Sequence, residues 1–140
     1  MTDIRVMGDA VPPVKARLVA GAASIVAGLA PSLRVADEVP KDWQVDVDPP
    51  LAVVSDDSGP TLWPVFTRAT IRVTLFANGR QTAKELRRRA LGVLLASVPD
   101  GLAHIDHEGI GYTDARDGDT GADMASFTVT AAVRTEVITV

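Results

Sequence analysis

The chain has no cysteine, which excludes disulfides, thiolate nucleophiles and thiolate metal sites together and suggests folding in a reducing compartment. It has two histidines, both in the segment His104 to Glu108, so imidazole chemistry is confined to one place. Aromatics are scarce, six in all, and the surplus of Ala, Val, Asp and Arg hints at a GC-rich genome. A positive balance is also lacking. Fourteen basic against 18 acidic side chains leave a net charge of −4, so the overall field does not draw nucleic acid and any DNA contact would be local. No apolar run reaches the roughly 20 residues a bilayer requires; the uncharged stretch from Leu18 to Ala30 is well short of it. That stretch follows Lys15 and Arg17 as a secretory signal might, but Asp3, Asp9 and the Pro12-Pro13 pair fit a leader poorly, and amphipathic periodicity favours a packed helix. The expectation is a soluble protein of one domain, residues 1–140, with no membrane partner.

What is present centres on Val65 to Val98. From Arg68 to Ala77 the residues alternate, with Ala69, Ile71, Val73, Leu75 and Ala77 on one face and Arg68, Thr70, Arg72 and Thr74 on the other, the pattern of a strand with one buried side. Asn78-Gly79 tolerates positive φ, and Thr82 with Glu85 has capping-box spacing, which predicts a helix start. Along that helix Ala83, Leu86, Ala90, Val93 and Leu94 form a face able to cover a sheet. A second row, Lys84, Arg88, Leu91 and Leu95, is basic then apolar. Either the helix sits deep in its own domain, or Leu91 and Leu95 meet another subunit, as an exposed apolar row would.

Upstream, Pro12-Pro13 opens a helix whose apolar face is Val14, Leu18, Ala22, Ile25, Val26 and Leu29. Its opposite side, Gly21, Ser24 and Gly28, is small enough for close backbone approach. Four prolines punctuate residues 31–50, leaving a short strand around Leu33 to Ala36 and otherwise connection. Leu51 to Val54 is a second short strand, halted by the turn formers of residues 55–60. Trp63 and Phe66 lead into the main strand, where a tryptophan most simply acts as a core lid. After the helix, Pro99-Asp100-Gly101 is a stop, Leu102 to His107 a strand, and Asp114 to Asp123 an acidic loop. The longest extended pattern closes the chain: Ala125, Phe127, Val129, Ala131, Val133, Thr135 and Val137 face one way, and Ser126, Thr128, Thr130, Arg134 and Glu136 the other. Helix, strands, helix, strands predicts an α+β fold, an antiparallel, possibly mixed, sheet with two main helices on one face.

Catalytic constellations are hard to assemble. In a strand, His104 and Asp106 share a face while His107 points away, so at most two ligands converge where a catalytic zinc wants three. Asp114, Asp117, Asp119 and Asp123 invite calcium, yet no glycine stands sixth from Asp117 and Thr128 occupies the place of the bidentate glutamate. There is no G-x-S-x-G and no phosphate-cradling loop. No metal and no cofactor are expected, and no enzyme. The basic concentration Arg87-Arg88-Arg89, near Arg80 and Lys84, splays round its helix instead of forming a nucleic-acid face. These arginines are expected to pair with acids, Asp56, Asp57 or the 114–123 aspartates, across subunits.

The opening small-faced helix (Val14 to Leu29), the F-A-N-G-R strand end (Phe76 to Arg80), the R-x-x-A-x-x-L-R-R-R-A-L helix near Arg80 and the closing A-S-F-T-V-T-A-A-V-R-T run (Ala125 to Thr135) together resemble the tail terminator proteins of long-tailed bacteriophages, also described as minor tail or head-to-tail connector proteins. The likeness spans most of the chain and rests on layout, since the family has no short invariant motif. It implies an α+β virion protein, assembled in the host cytoplasm, that forms a homo-oligomeric, hexameric ring on the tail tube. Such a ring stops polymerisation of the major tail protein, offers a docking surface to the head-tail connector or stopper protein, and performs no catalysis. Genome DNA would pass through its lumen without specific binding, and lumenal carboxylates would repel it. The residues expected at subunit or partner interfaces are Lys84, Arg87, Arg88, Leu91, Leu95, Asp114, Arg116, Asp117 and Asp119. The rivals are another neck or tail-completion protein, a small ligand- or calcium-binding module, and a small enzyme.

Overall fold

A computed structural model of the chain describes residues 2–57, 61–62 and 66–140, with backbone alone for 61, 62, 66 and 67. The roles read for Trp63 and for the Phe66 side chain lie outside the described residues, as does the end of the 55–60 loop. The elements run β1 (Asp3–Val6), α1 (Val11–Ala20), α2 (Ala22–Val26), β2 (Arg34–Ala36), β3 (Leu51–Asp56), β4 (Thr61–Leu62), β5 (Phe66–Ala77), α3 (Arg80–Leu95), β6 (Leu102–Ile105), β7 (Gly111–Arg116), β8 (Asp123–Arg134) and β9 (Glu136–Thr139). The α+β class is as expected. The main sheet is mixed, in the order β2-β3-β5-β8-β6, with β4 also on β5 and β7 also on β8. Its pairings are antiparallel except β2 with β3.

Both long alternating patterns become the sheet's centre. β5 and β8 pair antiparallel along their whole length, setting Val73 opposite Phe127 and Ile71 opposite Val129. The face carrying Ala69, Ile71, Val73, Leu75, Ala125, Phe127, Val129 and Ala131 is buried under the helices. Each fully buried Leu, Ile, Val or Phe contributes about 1.5–3 kcal/mol of transfer free energy, so this layer dominates stability. The other face carries the polar partners: Arg68 pairs with Asp106 at 3.6 Å and Arg72 with Asp57 at 2.9 Å. The closing run does not continue as one strand. It breaks at Thr135, and β9 leaves the sheet to pair with β1, a strand the sequence pattern does not reveal.

The helices fill the face as the apolar spacing requires, with two departures. The first helix is interrupted at Gly21, so the expected single helix is α1 followed by the single turn and a half of α2. Gly21 is the close approach expected of the small face: a Cβ there would stand 2.4 Å from Val93 Cγ1 on α3. Ser24 and Gly28, by contrast, are exposed. The capping box at Thr82 and Glu85 does not form. α3 starts three residues earlier behind its N-cap Gly79, whose φ of 114° is open to glycine and whose N–H donates to Asp123 Oδ2 at 3.2 Å. Glu85 is drawn away by arginines one turn on, because a charge-assisted pair outcompetes a neutral backbone donor.

The proline-rich 31–50 segment is more than connection. Trp43 is buried with Leu51, Phe76 and Ala122 in a second, smaller cluster on the far face of the sheet. Its ring meets Phe76 edge-on at 6.1 Å, and its indole N–H donates to the Pro49 carbonyl at 2.9 Å, satisfying the polar atom that burial would otherwise penalise.

Candidate interaction surfaces

The basic helix α3 lies beside β7, and the acidic loop expected over 114–123 is shorter than its composition suggests. Residues 111–116 form β7, and the reversal occupies 117–122. Strand pairing thereby delivers Asp114 to α3. Lys84 Nζ lies 3.6 Å from Asp114 Oδ2, and Arg87 binds the other carboxylate oxygen. Arg87 also donates to the Thr113 carbonyl at 3.4 Å and sits 4.8 Å over the Tyr112 ring. Partial burial works to raise the Asp114 pKa, but the Arg87 hydrogen bond and charge, with Lys84, outweigh it and hold the carboxyl below the usual aspartate range.

Arg88 and Arg89 converge on Glu85. Arg88 makes a two-bond fork of 2.7 and 2.9 Å, and Arg89 Nε adds 3.0 Å. The two arginines pull the Glu85 carboxyl down from 4.5 to about 2, first by these hydrogen bonds. Arg89 then reaches back across the helix pair and donates to the Ile25 and Ala27 carbonyls at 3.3 and 2.6 Å, closing the C-terminal end of α2. Within one chain these arginines pair with Asp114 and Glu85. Their spread round the helix sends Arg87 to β7 and lets Arg89 reach α2 while still sharing Glu85 with Arg88.

The apolar row follows the first of its two readings, a helix set deep in its own domain. Leu91 is buried in the chain's own core at 8% exposure, and Leu95 is half-buried against that core. Both α1 and α2 pack against α3. Arg116 is exposed on β7. Asp117 and Asp119 sit apart from this cluster, at the β7–β8 turn, where Asp117 accepts from the Asp119 N–H and from Thr120 Oγ1. They rim a cleft of about 680 Å³ floored by Trp43, Phe76 and Met124. The structure therefore gathers Lys84, Arg87, Asp114 and Arg116 at one corner and sends Arg88, the two leucines and the turn aspartates elsewhere.

The histidine segment is likewise committed. His104 Nε2 lies 3.1 Å from Asp106 Oδ1, and Asp106 also faces Arg68. Among the described residues no group of three or more His, Asp or Glu side chains is placed to hold a metal, and no helix is long and apolar enough to cross a membrane.

What the sequence pattern missed is the ribbon of β1 and β9. Ile4 faces Ile138 and Val6 faces Glu136 on one side, while Arg5 faces Val137 and Asp3 faces Thr139 on the other. The ladder ends in two bonds between Thr2 and Val140, of 2.9 and 2.8 Å. Among the described elements, β1 and β9 pack mainly on each other. Among the described residues, Ile4, Met7, Val137, Ile138 and Val140 are half of the exposed large hydrophobics. The ribbon leaves the body at Gly8, where a Cβ would stand 2.5 Å from the Arg134 carbonyl. The available signal was the continued alternation through Val137, which marks a strand but not its partner.

No protein-family model matches the chain, and a search of curated proteins finds no matching relative.

Proposed function

We propose that this chain is a structural subunit of a phage virion, which caps the tail tube as a ring, terminates tail polymerisation and offers the head connector its docking surface. The observation that carries the reading is the β1–β9 ribbon. Two short strands alone are marginal in water, and a ribbon with apolar side chains on both faces and, among the described residues, no layer packed over either is built to be covered by another chain. The α+β fold is the one the resemblance implies, and Arg87 and Arg89 tie α3 to β7 and to the end of α2. Each copy carries −4, so a ring would present a field that keeps DNA sliding freely through its lumen.

Light scattering behind a sizing column, with negative-stain images of the same peak over a range of concentrations, tests this. The expected result is a species near six times 14.7 kDa with annular images. A strict monomer at every concentration counts against it. A thermal-shift series with divalent ions separates the rival calcium-binding reading, which requires stabilisation by mass action.

A further inference from the structure

We infer that the β1–β9 ribbon of one copy docks on the free edge of β7 in the next copy, adding strands to its sheet; this rests on the ring-subunit reading above. Three observations lead there.

The first is that β7 is an open edge. All six of its residues are exposed. Ser126 Oγ on β8 donates to the Thr113 carbonyl at 3.3 Å, and the Asp117 N–H donates to the Ala122 carbonyl at 2.9 Å. In an antiparallel pair these contacts place the odd-numbered residues toward β8 and turn the N–H and C=O groups of Tyr112, Asp114 and Arg116 outward. Among the described residues, none of those outward backbone groups bonds to another strand. Such a row is a template for strand addition.

The second is that the ribbon cannot use this edge in its own chain. It springs from Arg134, whereas β7 pairs with residues 123–128 of β8, and six residues of strand span about 20 Å. β6 occupies the intervening stretch, on Ala131 to Val133. The nearest ribbon able to reach the edge belongs to a second copy.

The third is chemical fit. The ribbon offers unpaired strand edges of its own, carrying Val137 and the acidic Glu136, while β7 offers the exposed Tyr112 ring and Arg116. A contact between two different patches of the same molecule is heterologous, and it repeats head to tail until it closes as a ring or runs on as a filament.

The cysteine-free chain makes the test direct. Full-length Val137→Cys and Tyr112→Cys variants are treated with a short bis-maleimide, separately and mixed. The expected result is a crosslinked dimer in the mixture that is missing from either variant alone. A dimer from Val137→Cys alone would mean ribbon-to-ribbon pairing, and no dimer in any sample would mean a different partner or none; either overturns the inference. Arg116→Pro removes one outward N–H without touching the β8 ladder and is expected to abolish self-association while leaving the melting temperature unchanged. Rings that persist without the mixed crosslink would overturn the docking mode and leave the ring reading standing. A mixed crosslink on open filaments would do the reverse.

Discussion

The β5–β8 centre and the β1–β9 ribbon are written in the same alternating code and end in opposite circumstances. Between Ala125 and Val133 every second residue is buried beneath α1, α2 and α3. Four residues further the same alternation reaches Val137, which is 54% exposed. Alternation fixes that a strand has two unlike faces; what covers the apolar one depends on elements distant in sequence, or on another chain. The contrast teaches that the ribbon's apolar residues contribute little to folding and are available for assembly.

Substitutions that break the contrast should therefore fall in a steep order. Phe127→Ala, at a fully buried position opposite Val73, is expected to cost about 3–5 kcal/mol in denaturant unfolding. Gly21→Val drives a side chain into Val93 and should cost roughly 1–3 kcal/mol, part of which a second change, Val93→Ala, restores. Arg89→Ala frees the Ile25 and Ala27 carbonyls and should cost about 1 kcal/mol, with Arg89→Lys unable to span both. Ile138→Ser, although it removes a large apolar side chain, should stay within about 0.5 kcal/mol in the dilute monomer. A loss there as large as that of Phe127→Ala would erase the distinction between the two regions.

The smallest effect concerns pH. Glu85 titrates near 2 when folded, against 4.5 ordinarily, so the stabilisation from its arginine clamp is complete above about 4.5 and fades as pH falls toward 2. Glu85→Gln should flatten the dependence of unfolding free energy on pH in that window and nowhere else.

Much of the body was legible. The faces of β5 and β8, the core side of α3 and the stop before Pro99 follow from period and turn chemistry acting over a few residues. The errors share one cause, partners that period and local turn rules do not single out. Glu85 had a legal capping role but found two arginines. Leu91 looked surplus on its helix but lies in the main core. Asp114 looked like loop until β8 paired it as strand, and Trp43 stood among prolines with no local hint that Phe76, from β5, would meet its ring. The ribbon was the least legible, since β1 has only four residues and its partner lies at the opposite terminus.

The central claim is that the ribbon and the β7 edge are covered between copies and the core is not. Amide hydrogen exchange at residues 2–6, 112–116 and 136–139, followed from dilute monomer to concentrated protein, tests it most directly. The expected result is protection that rises with concentration in these three segments together, and unchanged protection in β5, β8 and α3. Protection in the ribbon and at the β7 edge that stays the same at every concentration would contradict the account.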